Sequence, residues 1–166
     1  MTSKAGVQYW TEIVDPDGNV VERFDAPTLN LVPTEGLNHM LGVVLKGAAQ
    51  VPTWYIGLFE GEYTPSALIT AATLPALADE CTDYASPTRV EFVEGSVAAG
   101  SVDNATALAE FVFTADVTVR GAFITSSDVK GSTSGVLLSI ARFPSPKPQT
   151  AGSTLRVMAG PTVTSI

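Results

Sequence analysis

Histidine and cysteine, which often serve as general base, nucleophile or zinc ligand, each occur once in this chain of 166 residues, as His39 and Cys81. A Ser-His-Asp triad needs a histidine held by a carboxylate and touching a nucleophile. Neither the neighbours of His39 nor any GxSxG turn supplies that arrangement. One Cys and one His are too few for a zinc finger, and a single cysteine forms no intrachain disulfide. The sequence therefore predicts a surface or boundary His39 and a non-enzymatic protein with no metal site and no cofactor.

The densest group of acids is the run Asp79-Glu80-Cys81-Thr82-Asp83-Tyr84. Paired carboxylates can perform acid–base chemistry or hold a metal, but this local run has no apolar pocket indicated around it. Acids beside Cys81 raise the pKa of its thiol, which disfavours a nucleophilic role. We interpret the run as solvated loop charge, and contact with a basic patch on a partner is the alternative.

Residues 7 to 24 predict a β-hairpin, with alternating residues on either side of Asp15-Pro16-Asp17-Gly18-Asn19. Pro presets the turn backbone, Asp bonds its own following amides, and Gly adopts a positive φ. The aspartates could also indicate a calcium loop. The twelfth position counted from Asp15 is Ala26, where an EF-hand needs Glu, so the plain turn is favoured.

One amphipathic helix is predicted at about 34–46. Thr34 can cap its first turn, and Gly47 is a natural C-terminal stop. Gly36 and Gly42 weaken a helix, so packing must hold it, and glycine can let a neighbouring strand approach. The stripe expected to pack at i, i+3, i+4, i+7 and i+8 is Leu37, Met40, Leu41, Val44 and Leu45.

The segment WYIGLF at 54–59 is too apolar for a strand with one wet face. It predicts a central strand covered on both faces, with the helix as one possible cover. Its aromatic residues, with Tyr63, could stack sugar rings or fill a core. Core packing is favoured, and Tyr63 is the aromatic expected to be exposed.

Residues 60–88 are rich in Pro, Thr and Ala and predict an excursion from the sheet, with a short helix ended by Pro75. The prolines of PSPKP at 144–148 bar regular structure there. About eight strands predict a mainly β chain, a jelly roll or β-sandwich. We divide it into an N-terminal hairpin or arm at 1–28 and a single sandwich domain at 29–166.

The charge and the hydropathy of the chain limit the kinds of partner that it is expected to bind. Charged residues make up 16% of the chain and the net charge is −8, and the basic residues are scattered. Nucleic-acid binding needs clustered basic residues, so no direct nucleic-acid contact is expected. No apolar run is long enough to span a bilayer, so no membrane partner is expected. The N-terminus lacks the apolar core of a signal peptide, and synthesis in a reducing cytoplasm is expected.

Six short segments, taken in their order along the chain, resemble a known class of proteins. They are NLVPTEGLNHML at 30–41, WYIGLF at 54–59, ECTDYASPTRVEF at 80–92, VRGAFI at 119–124, LLSIARF at 137–143 and GSTLRV at 152–157. In this order they resemble a widespread set of bacteriophage virion structural proteins, over roughly residues 28 to 159. The resemblance implies a small β-sandwich or jelly-roll domain and no catalytic residues.

Virion proteins of this kind include capsid decoration or cement proteins and tail-fibre or tail-tip proteins. This short chain lacks the repeats of a fibre shaft, so we expect a cement protein that binds across major capsid protein subunits and self-associates as a dimer or trimer. A tail-fibre, tail-tip or receptor-binding module is the alternative. The hairpin and the 60–88 excursion are expected to lie peripheral to the apolar strands and to contact partners. Their candidate contact residues are Tyr9, Trp10, Tyr63, Asp79, Glu80, Asp83 and Tyr84.

Overall fold

The computed structural model describes residues 3–23 and 27–165 of the chain. Its strands are β1 (Ser3–Val14), β2 (Val20–Glu22), β3 (Thr28–Leu29), β4 (Tyr55–Phe59), β5 (Glu80–Cys81), β6 (Val90–Glu91), β7 (Ala109–Val112), β8 (Val117–Thr125), β9 (Leu137–Gln149) and β10 (Thr154–Ser165). The helices are α1 (Thr34–Lys46) and the short α2 (Leu74–Ala78). The prediction of a mainly β chain is confirmed. The predicted end of the hairpin at Phe24 and the calcium-loop position Ala26 lie outside the described residues.

The strands form two antiparallel sheets. Sheet A has the order β2-β1-β10-β7, with β3 also beside β1, and sheet B has the order β5-β4-β8-β9, with β6 also beside β4. The two sheets are sandwich-like because they share one buried apolar core. Sheet A contributes Val7, Tyr9, Ile13, Phe111, Leu155 and Val157, and sheet B contributes Ile56, Leu58, Val119, Ala122, Ile124 and Phe143.

A second buried cluster covers the outer face of sheet B. Phe59 on β4 and Phe123 on β8 belong to it, and residues from the segment 69–78 pack over them. These covering residues are Ile69, Ala71, Leu74 and Ala78. β4 is therefore an interior strand covered on both faces, as WYIGLF predicts. The described cover on its outer face is the 69–78 segment, whereas α1 lies beside the edge strand β9.

β1 is an interior strand of sheet A. It pairs with β10 from Ser3↔Ser165 to Val14↔Thr154, and with β2 on its other side. The expectation that the hairpin lies peripheral to the apolar strands is therefore wrong for β1, because its alternate residues face the shared core. The division into an arm at 1–28 and a domain at 29–166 stays a prediction about independent folding.

The Asp15–Asn19 segment forms the predicted turn. A carboxylate oxygen of Asp15 accepts a hydrogen bond from the backbone N–H of Asn19 at 2.7 Å, and Gly18 has a φ of 88°. The side chain of Asn19 also donates to this carboxylate, which lowers the pKa of Asp15. The aspartate thus has a local role in closing the turn.

Two expectations about proline are wrong. β9 runs through PSPKP to Gln149, because it is the last strand in the order of sheet B, where a missing backbone donor costs no ladder bond. Pro75 lies in the first turn of α2 and does not end it, since the first turn of a helix needs no proline N–H.

Candidate functional site

The predicted contact residues Tyr9 and Trp10 lie on opposite faces of β1. Tyr9 is 1% exposed, and its hydroxyl forms a hydrogen bond with the Ser139 hydroxyl of β9, which links the two sheets. Burial raises the pKa of Tyr9 above its ordinary value. Tyr9 is therefore a core residue and cannot contact a partner. Trp10 is half-buried on the other face, with its ring beside Gly160 of β10.

The acidic run divides into buried and exposed members. Asp79 and Asp83 are exposed, which agrees with solvated loop charge. The side chain of Glu80, however, is only 2% exposed and forms an ion pair with Arg89. Glu80 Oε2 also accepts the backbone N–H of Gly131 at 3.0 Å. Glu80 is therefore an internal brace, because a carboxylate is buried only when it is paired.

Tyr84 is also buried, and its ring meets the Phe111 ring of the shared core edge-on. Lys130 Nζ lies 3.6 Å from the centre of the Tyr84 ring and donates to the backbone carbonyl oxygens of Thr82 and Tyr84. Desolvation lowers the pKa of Lys130.

The Cys81 thiol is buried as well. Its burial, as the larger cause, and a hydrogen bond with Glu60, as the second, raise the pKa of Cys81 to about 12. The thiol is therefore neutral at physiological pH and is not an activated nucleophile.

Tyr63 is half-buried against the outer cluster of sheet B, and its hydroxyl lies 3.4 Å from the Ser66 hydroxyl. Of the predicted contact residues, Asp79 and Asp83 are thus exposed, Trp10 and Tyr63 are half-buried, and Tyr9, Glu80 and Tyr84 are buried. The predicted residues do not form one surface, because β1 and the 79–84 run belong to different sheets.

Helix α1 is fixed to the sheet through its first turn. Glu35 Oε2 accepts backbone N–H groups from Ala71 at 2.9 Å and from Leu137 at 2.7 Å. Gly36 is buried so close to β9 that an added Cβ would lie 2.6 Å from the Leu138 carbonyl oxygen. The Thr34 cap is not observed: Pro33 is the N-cap residue, with no side-chain capping bond. Gly47 ends the helix with a φ of 66°, as predicted.

The rest of α1 presents an apolar surface to solvent. Leu37, Leu41, Val44 and Leu45 are 40%, 56%, 76% and 72% exposed. The expectation that this stripe packs against the core is therefore wrong. The apolar spacing of a helix does not say whether its partner belongs to the same chain.

A groove of about 650 Å³ runs beside this stripe. Apolar side chains of α1 form one wall, and Val51, Trp54, Leu138 and Val163 contribute to the other. The His39 ring meets the Trp54 ring edge-on, with centroids 5.5 Å apart. A smaller apolar pocket of about 310 Å³ continues from it past Ala5, Leu138 and Val163. None of the described side chains lining either cavity is Asp, Glu, Lys or Arg. We call the exposed stripe and these two cavities the α1 surface.

A different, polar groove of about 480 Å³ lies between the 60–79 region and the β8 and β9 strands. Glu60, Asp79 and Asp116 supply carboxylates, and Arg120 and Gln149 supply donors. No described residue accepts a hydrogen bond from Arg120 Nε or Gln149 Nε2, although both atoms are buried. This groove offers donors and acceptors to a polar ligand, without a histidine or cysteine among its described lining residues.

Comparison with known proteins gives no match, since neither a family model nor a curated protein sequence matches the chain. Across residues 3–23 and 27–165, no group of three His, Cys, Asp or Glu side chains is placed to hold a metal ion. Neither helix in those ranges has the length and apolar character needed to cross a membrane. The α1 surface and the polar groove are therefore the two features from which function can be inferred.

Proposed function

We propose that this protein is a non-enzymatic structural component of a bacteriophage virion, most specifically a capsid decoration or cement protein. It binds across neighbouring major capsid protein subunits and stabilises the head. In this proposal the two sheets form a jelly-roll-like sandwich, and α1 is an amphipathic helix whose apolar side serves binding. The protein is made in the host cytoplasm, self-associates as a dimer or trimer, and resides in the virion.

The α1 surface is the observation that carries the proposal. A helix with four exposed large apolar residues, fixed to the body by buried contacts, is typical of a protein that functions in an assembly. The buried charges of Glu80 and Arg89 pair with each other inside the protein. On the α1 surface, the protein therefore offers a partner shape and apolar contact.

Stabilisation of a capsid by such a protein depends on repetition. A stable interface buries about 1,600 Å² in total. Repeated at every joint of a lattice, interfaces of that size resist the outward pressure of packaged DNA, and linked copies gain avidity. The exposed acids Asp79 and Asp83 and a net charge of −8 suit contact with a basic patch on the capsid.

A tail-fibre, tail-tip or receptor-binding module is the second candidate, and the polar groove favours it. Buried donors on Arg120 and Gln149 beside three carboxylates resemble the mixed donor and acceptor sets that bind hydroxyl-rich ligands such as glycans. A receptor-binding module would be present in few copies and would bind host surface glycan. Substitution of Gln149 by Leu would then abolish glycan binding without changing virion stability.

Copy number in purified virions distinguishes the two candidates. Quantitative mass spectrometry against the major capsid protein is expected to give a ratio near one to one or a simple lattice fraction. Capsids that lack this protein should rupture at lower temperature and recover on addition of the purified chain. A handful of copies per particle would assign the protein to the tail, and absence from virions would refute both assignments.

A further inference from the structure

The α1 surface is held in a fixed position relative to the sheets. The carboxylate of Glu35 accepts two backbone N–H groups, from Ala71 and from Leu137, and Gly36 contacts the backbone of β9 directly. These contacts lie in the first helical turn, so the later turns project from a rigid base. An apolar ridge on a rigid base loses little conformational entropy when a partner binds it.

The ridge and the groove lie side by side on this surface. Leu41, Val44 and Leu45 project outwards, and the groove beside them is bounded by Trp54 and Val163. A surface with an adjacent ridge and groove can receive a second copy related by a two-fold rotation, with each ridge placed in the groove of the other copy. Such an interface is isologous and closed.

The charge distribution also favours a second copy of this chain as the partner of the α1 surface. The chain carries a net charge of −8, so two copies repel each other, and they repel least when they meet through faces that carry no charge. Between Glu35 and Lys46 the sequence of α1 has no Asp, Glu, Lys or Arg, and none of the described side chains lining the groove is one of these four residues. A basic partner would gain nothing here, since the exposed acids Asp79 and Asp83 lie elsewhere. An uncharged face on an acidic chain suits an equally acidic partner.

From these observations we infer that the α1 surface binds a second copy of this chain, forming a two-fold dimer in which the α1 helices pack against each other's groove. The inference rests on the proposed function only in its expectation of self-association. It assigns that self-association to α1, and it leaves the acidic 79–83 region and the half-buried Trp10 for contact with the capsid.

Sedimentation and light scattering over a range of protein concentrations test the inference. The chain with the natural sequence is expected to be a dimer. The double variant Leu41→Glu/Val44→Glu is expected to raise the dissociation constant about tenfold or more, because it places charges in the centre of an apolar interface. Val129→Glu is the control, since Val129 is an exposed apolar residue, 58% exposed, that lines neither cavity of the α1 surface. Its dissociation constant should be unchanged.

A cross-linking measurement covers the case in which the glutamate variant folds poorly. Cysteine placed at Val44 or Leu45 should form an intermolecular disulfide under mild oxidation, and cysteine placed at Val129 should not. The native Cys81 does not interfere, because it is buried. Circular dichroism and the melting temperature check that each variant is folded.

Three results would overturn the inference. The first is a natural chain that stays monomeric at every concentration. The second is a folded glutamate variant that dimerises like the natural chain. The third is a glutamate variant that keeps its dimer but no longer binds capsids, which would make α1 a capsid contact and leave the proposed function intact. Failure of the natural chain to bind capsids, with dimerisation lost in the variant, would refute the proposed function alone.

Discussion

Arg89 and Glu80 form a bidentate ion pair in the interior, with Nε donating to Oε1 at 2.8 Å and Nη2 to Oε2 at 2.7 Å. Both side chains are almost fully buried. Arg89 also donates to the backbone carbonyl oxygens of Ser127 and Ser132, and its guanidinium lies 5.3 Å from the centre of the Phe123 ring. The pair therefore joins β5 to the 126–135 loop and closes one end of sheet B.

Glu80→Ala is expected to lower the free energy of unfolding by about 3–5 kcal/mol, because it leaves the Arg89 guanidinium buried without its carboxylate. Chemical denaturation measures this change. The control is Glu62→Ala, which removes an exposed carboxylate that pairs with Arg120 at 3.4 Å and with Arg142 at 3.7 Å and should cost less than about 1 kcal/mol. Equal losses in the two variants would show that Glu80 is not the brace described.

Two glycines of α1 should respond to alanine in opposite directions. Gly36→Ala should destabilise the protein by about 1–3 kcal/mol, because the new Cβ would lie 2.6 Å from the Leu138 carbonyl oxygen. Gly42→Ala meets only the Ala48 side chain at 3.5 Å, so helix propensity should dominate and stabilise the protein by up to about 1 kcal/mol. Thermal melts of both variants, compared at equal concentration, measure the difference. If both variants were stabilised, α1 would not pack closely on β9.

The link between Tyr9 and Ser139 can be tested by a double-mutant cycle. Tyr9→Phe leaves the buried Ser139 hydroxyl without its partner and should cost about 1–3 kcal/mol. Tyr9→Phe combined with Ser139→Ala should recover part of that loss, because both polar groups are then removed together. Strictly additive losses would indicate that the two hydroxyl groups do not interact.

Cys81 should make the protein sensitive to alkali. Its pKa is raised from 9.0 to about 12 by burial, so the neutral thiol is the form that the folded state favours. The corresponding share of the free energy of unfolding is fully present below pH 9.0 and is lost as the pH rises towards 12. The difference between the natural chain and Cys81→Ala, followed against pH, isolates this share from those of Tyr9 and Tyr84. A thiol that reacts readily with a disulfide reagent in the folded protein would contradict its burial.

Local chemistry and apolar runs in the sequence predict much of the fold. The turn at Asp15–Asn19, the interior strand of WYIGLF, and the end of α1 at Gly47 all follow from the conformations and burial that those residue types favour. These features depend on neighbours along the chain, and such neighbours are visible in sequence.

What sequence reasoning missed depends on distant partners. The Leu37–Leu45 stripe has the spacing of a packed helix, but the outer face of sheet B is covered by the 69–78 segment. Glu80 looks like solvated charge because its partner Arg89 lies beyond an irregular turn with no periodic pattern. The alternation of Tyr9 and Trp10 shows two faces of a strand, and only the position of β1 inside sheet A decides which face is buried.

The pairing of β1 with β10 also governs how the protein acquires its fold. Val7 pairs with Pro161, so sheet A is completed only after a loop that contains every strand of sheet B has closed. Contacts so distant in sequence slow folding, because closure entropy is lost before the contacts form. During synthesis β1 can pair with β2 and β3, but its other edge has no partner until β10 is made. Chaperone dependence during synthesis is the expected biological consequence of this topology.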